Sequence, residues 1–113
     1  MEKARINIKV NNYNWCIELT DNIENLTNKE GNICKGTTSY KNKTIYLDYK
    51  ISEETAKHVL MHELTHVYIY ETQLELKSYY NEEDLCEFVA MYGERVIKKA
   101  KSILRAVKGE LLR

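Results

Sequence analysis

Two histidines and a glutamate stand at a fixed spacing near the middle of the chain, in His62-Glu63-Leu64-Thr65-His66. On a helix, residues four apart lie one above the other on one face, about 6 Å along the axis. Two imidazoles placed in this way can converge on one tetrahedral metal ion, at about 2.0–2.1 Å each. Glu63 follows the first of them by one residue, about 100° around the helix. It can therefore reach a metal-bound water without binding the metal itself. The ion lowers the pKa of that water towards about 7, and the carboxylate takes its proton. The chemistry expected of the pattern is hydrolysis. The plainer alternative is a solvated helix face that happens to carry two histidines. Against it stand the uncharged Leu64 and Thr65 inside the motif, with Val59 before it and Tyr68 after it. His58 shares the stripe, but His58 and His66 lie about 12 Å apart along the axis, too far for one ion held by three consecutive turns. It is read as a surface or outer residue.

A catalytic zinc site takes three protein ligands and leaves a fourth position open. The chain has no further histidine, so the third ligand must be a carboxylate or, less readily, a cysteine. The candidates lie in Asn81-Glu82-Glu83-Asp84-Leu85-Cys86-Glu87-Phe88, where Glu82, Glu83 and Glu87 are the competing assignments. Acids in the first turn of a helix complement the positive end of its dipole, which accounts for Glu82 and Asp84. It does not account for Glu87, one turn further in and on the same face as Glu83.

The H-E-x-x-H helix resembles the active-site helix of zinc metallopeptidases over about ten residues. The stretch Glu83-Asp84-Leu85-Cys86-Glu87-Phe88-Val89-Ala90 is similar to the E-x-x-A-[DN]-x-F-A segment of the phage- and mobile-element-associated metallopeptidases. Those gluzincin-type enzymes belong to the family of repressor-cleaving and radiation-response regulators. The resemblance spans residues 52 to 100; the N-terminal half matches loosely, as a small sheet ahead of the first helix. It departs at Cys86, where alanine is usual, and at Glu87, where Asp or Asn is usual. The resemblance implies that Glu83 is the third ligand and that Glu87 orients a zinc histidine from behind. It implies one Zn²⁺ per chain and a protein or peptide substrate, such as a regulatory protein of the host or mobile element. It also implies that an edge strand of the sheet pairs with the extended substrate. Thr37–Tyr40 and Thr44–Tyr49 both remain open for that edge. The expected activity is that of a zinc metalloendopeptidase in which Glu63 is the general base and then protonates the leaving amine. The alternative is a zincin-fold metal- or protein-binding module with little or no peptidase activity. The group that steadies the oxyanion is not assigned; Tyr79, Tyr80 and Tyr92 are the tyrosines nearest the proposed ligand.

These residues need elements to hold them. Ile6, Ile8 and Val10 alternate with Asn7 and Lys9, a half-buried strand over Ala4–Val10. Trp15–Leu19 permits a strand or the start of a helix. Gly31 and Gly36 punctuate a loop, and Thr37–Tyr40, the turn Lys41–Lys43 and Thr44–Tyr49 read as a hairpin. Ser52 is an N-cap candidate for a helix to about Tyr70, with Glu53 and Glu54 in its first turn. Val59, Leu60, Leu64, Val67 and Tyr68 supply its apolar surface. A polar connection, Glu71–Tyr80, leads to a second helix opened by Asn81. Its stripe runs through Leu85, Phe88, Val89, Tyr92, Val96, Ala100, Ile103, Leu104 and Val107, with Gly93 a weak point and Gly109 a helix end. The expected architecture is α+β: a small, mainly antiparallel N-terminal sheet packed on two zinc-site helices, a minimal zincin-like domain over residues 1–113.

The composition fits that size. A chain of 113 residues holds one domain. Seventeen basic and seventeen acidic residues cancel, which argues against nucleic acid as a partner. The cluster Lys98, Lys99, Lys101, Arg105 and Lys108 reads as a solvated helix face near its negative end. No apolar run approaches the roughly 18 residues that span a bilayer, so no membrane partner is expected. Met1-Glu2-Lys3-Ala4-Arg5 leads into no signal-peptide core, and a cytoplasmic protein is expected. Cys16, Cys34 and Cys86, odd in number and without a Cys-x-x-Cys pair, are read as free thiols.

Overall fold

The computed structural model describes residues 4–72 and 82–107. Most of the expected polar connection, the cap at Asn81, Tyr79, Tyr80, Lys108 and the helix end at Gly109 lie outside the described residues. The alternation of Ile6, Ile8 and Val10 forms β1 (Arg5–Val10), with these three turned inward and Arg5, Asn7 and Lys9 exposed. Asn11 and Asn12 follow with φ of 49° and 72°. Two successive positive φ values make the tight turn of a two-residue hairpin, and asparagine tolerates that region better than other side-chain-bearing residues. The chain returns as β2 (Tyr13–Thr20), antiparallel to β1. Trp15–Leu19 is thus a strand, buried along its length by the sheet and by the helices.

A 3₁₀ turn (Ile23–Leu26) and a loop lead to the expected hairpin, β3 (Gly36–Ser39) and β4 (Thr44–Asp48). The sheet order is β1-β2-β4-β3. β4 lies parallel to β2, and the other two pairings are antiparallel. The outer strand on this side is therefore β3, which settles the edge that the sequence left open.

Ser52 caps α1 (Glu53–Thr72): its hydroxyl accepts the Thr55 N–H at 3.2 Å. The buried stripe of α1 runs Ala56, Leu60, Glu63, Leu64, Val67, Tyr68 and Glu71, at steps of three and four. Two of those core positions carry carboxylates. The second helical run starts as α2 (Glu82–Phe88), widens to a π-helical turn over Val89–Gly93, and continues as α3 (Glu94–Val107). Val96, Ala100, Ile103, Leu104 and Val107 of α3 are buried, and the helix packs on α1 and β1. The core joins these side chains to Trp15, Ile17, Leu19, Ile45 and Leu47 of the sheet. The protein is thus a mixed α/β fold, a four-stranded sheet covered by helices. Among the described residues, no helix is long and apolar enough to cross a membrane. Cys16, Cys34 and Cys86 are all free thiols.

Gly36 sets how closely α1 approaches the edge strand. A Cβ added there would stand 2.5 Å from Cγ1 of Val59. Gly36→Ala is expected to destabilise the fold by about 1–3 kcal/mol through overpacking. A calorimetric comparison should also find most of that loss restored by Val59→Ala in the same chain.

Candidate active site

α1 presents His62 and His66 to solvent on adjacent turns, their ring centroids 5.0 Å apart and their planes at 75°. Glu63, between them on the helix, turns inward against the sheet and is only 8% exposed. Its carboxylate is not left bare there. Oε1 accepts the Thr38 hydroxyl at 2.9 Å, and Oε2 lies 3.9 Å from His62 Nε2. Thr38 sits on β3, so the edge strand and the histidine helix meet at this carboxylate.

The same three residues of the motif line a cleft of about 530 Å³. Its lining includes Thr38 of β3, Tyr40 of the turn that follows, and Asn25 and Asn28 of the 3₁₀ turn and its loop. Asn28 closes that loop, its side-chain oxygen accepting the backbone N–H of Glu30 and of Asn32. The backbone of β3 faces both sides of this arrangement. Asp48 donates its N–H to the Lys35 carbonyl, and the register runs from Gly36↔Leu47 to Ser39↔Thr44. Thr37 and Ser39 therefore direct their backbone groups at β4, while Gly36 and Thr38 turn theirs to the outer edge.

A second cavity, about 270 Å³, opens on the far side of the histidines. His62, His66 and Ile69 of α1 face Asp84, Leu85 and Phe88 of α2 across it. The acid that α2 brings beside the histidines is thus Asp84, which is half-buried, while Glu83 and Glu87 are exposed and line neither cavity. The side chain of Glu82 lies outside the described residues. His58 is exposed and lines neither cavity, in keeping with its reading as an outer residue. Among the described residues, no group of three or more His, Cys, Asp and Glu side chains is gathered as a metal-holding set.

Tyr92 is engaged elsewhere. Its ring packs against Phe88 at 5.6 Å and Tyr68 at 6.1 Å, with the Arg95 guanidinium 5.7 Å from its centroid. It belongs to the contact between α1 and the second helical run. The tyrosines that do line the cleft are Tyr40 and Tyr46, both in the hairpin and far in sequence from the motif. Thr38, Tyr40, Tyr46 and Asp84 were not singled out from the sequence. The hairpin's pairing order, which puts β3 on the outside, is the signal that could have pointed to Thr38.

The donor chemistry suits a zinc-type ion: two imidazoles side by side on a rigid helix, with carboxylates on a neighbouring helix. Compared with protein-family models, curated proteins and solved structures, the chain matches none.

Proposed function

We propose that the protein is a zinc-dependent endopeptidase of the gluzincin type, with His62 and His66 as metal ligands and Glu63 as general base. One observation carries this reading. A buried glutamate occupies a core position of α1, beneath two solvent-facing imidazoles and at the floor of an open cleft. Burying a carboxylate costs free energy that an apolar side chain at the same position would avoid. A glutamate there is better accounted for by chemistry than by packing. A bound zinc ion would supply a Lewis acid and an acidified water. Glu63 receives the proton of the attacking water at Oε2, the oxygen on the His62 side, and delivers it to the leaving amine. The substrate lies extended along β3, pairing with the outward backbone groups of Gly36 and Thr38. The third ligand comes from the first turn of α2. The family resemblance favours Glu83; position in the cavity favours Asp84.

The test is metal content per chain after zinc is supplied and the excess removed. The wild type is expected to hold close to one zinc, and His66→Ala almost none. Glu83→Ala and Asp84→Ala, measured side by side, separate the two carboxylates, because loss of a direct ligand lowers affinity far more than loss of a bystander. No stoichiometric metal in the wild type would end the enzyme reading. A zincin-shaped binding module without peptidase activity is the second reading, and the outward placement of Glu83 favours it. A zinc-loaded sample that binds peptides but cleaves none from a randomised library would decide for the module.

A further inference from the structure

Thr38 does two things at once. Its side chain faces α1 and donates to Glu63, while its backbone N–H and C=O face the open edge of the sheet. We propose that Thr38 is a positioning residue that sets the catalytic carboxylate against the same strand on which the substrate pairs. This inference rests on the peptidase reading above and deepens it.

The physical reasons are local. At 8% exposure, little water can reach Glu63, so the Thr38 hydroxyl stands in for solvent at Oε1. A glutamate side chain has three rotatable bonds, and an untethered one must be ordered anew in each turnover. Tethering Oε1 leaves Oε2 on the His62 side, 3.9 Å from the imidazole nitrogen. The base is then in place before substrate arrives, which is where preorganisation contributes to rate. Threonine suits the task better than serine, because branching at Cβ restricts χ1 and keeps the hydroxyl aimed. Since the backbone of Thr38 also binds the substrate strand, the distance from scissile carbonyl to base is set within one residue. It does not depend on how several elements dock.

Thr38→Val keeps shape and backbone and removes only the donor; Thr38→Ser keeps the donor. With zinc-loaded protein and a randomised peptide library as probe, Thr38→Val is expected to lower kcat by about tenfold or more. KM should stay within about twofold, since the edge that pairs with substrate is unchanged. Thr38→Ser should recover most of the rate. In a Glu63→Gln background, Thr38→Val should add no further loss, as expected of residues that act as a unit. A readout independent of turnover accompanies these. The ¹³C resonance of the Glu63 side-chain carboxylate should move and broaden in Thr38→Val and return in Thr38→Ser, with metal content unchanged.

An unmoved carboxylate resonance would overturn the inference. So would a Thr38→Val chain as fast as the wild type, or one that loses only KM. Those results leave the peptidase reading standing. A wild type that binds zinc and cleaves nothing removes that reading, and the role of Thr38 with it.

Discussion

Glu63→Gln is expected to hold zinc as the wild type does and to lose hydrolysis, with kcat reduced by about 10²–10⁴-fold. Glutamine matches glutamate in shape, and its side-chain oxygen can still accept the Thr38 hydroxyl at the place where Oε1 now lies. Position is kept and basicity is removed. On the proposed reading His62 and His66 would hold the ion through their own nitrogens, and both stay on the exposed face of α1, so metal content should not change. The thermal midpoint is expected to stay level or rise. A neutral amide costs less to bury than a charged carboxylate, and active sites commonly hold such unfavourable groups at the expense of stability. The measurement is a rate, a metal analysis and a melting curve on the same preparation. A glutamine variant as active as the wild type would remove Glu63 from the role of base, whatever its metal content.

Glu71→Ala should produce the largest loss of stability among single polar substitutions. Glu71 is the other acid in the buried stripe of α1, 8% exposed, and its Oε2 accepts Trp15 Nε1 at 2.6 Å and Lys43 Nζ at 2.8 Å. Together these bonds tie the last turn of α1 to β2 and to the turn residue just before β4. Tyr40 and Tyr70 stack at 4.7 Å beside the same tryptophan, each meeting its ring edge-on at 6.3 Å. Truncation leaves the indole N–H buried without an acceptor and opens a void beside a large aromatic core residue. We expect a cost of about 2–4 kcal/mol. For a domain of this size that is roughly 10 °C in melting temperature. Denaturant titration should show the lower midpoint with an unchanged slope, and a loss under about 0.5 kcal/mol would mean that the tie is dispensable.

The same pair makes an alkaline prediction. The Lys43 amine is held above its ordinary pKa by its hydrogen bond to Glu71, and the attraction of that carboxylate adds to the effect against partial desolvation. A pKa raised in the folded state stabilises the fold wherever the unfolded amine is charged. That contribution is lost as pH rises through the raised value. The stability difference between wild type and Lys43→Met should therefore be constant through neutral pH. It should shrink only above the ordinary lysine range, which a series of melts towards alkaline pH would detect.

Local signals in the chain determined much of this protein. The period of two in Ile6, Ile8 and Val10 specified a strand, because side chains alternate faces wherever the backbone is extended. Ser52 followed by two glutamates marked the start of α1, because its first N–H groups need an acceptor and its dipole favours acids. The spacing of His62, Glu63 and His66 made two imidazoles neighbours on any helix, since i and i+4 meet within one turn. The Asn11-Asn12 pair carried a hairpin signal that the strand patterns around it obscured. Its φ values show why asparagine stands at both positions.

Tertiary structure decided what no local pattern encodes. Whether β3 or β4 forms the edge depends on which of them reaches β2, a pairing across more than 20 intervening residues that packing selects. With β3 outside, Thr38 meets Glu63 and Gly36 meets Val59, contacts between residues that share no spacing rule. Which acid of α2 stands beside the histidines was likewise beyond sequence, because neighbouring helical residues differ by about 100° and the docking rotation chooses among them. In this structure that rotation turns Asp84 to the cavity and Glu83 to solvent. The histidine pair and its glutamate are a property of one helix and could be read from the chain; their neighbours depend on how that helix, the hairpin and α2 pack together.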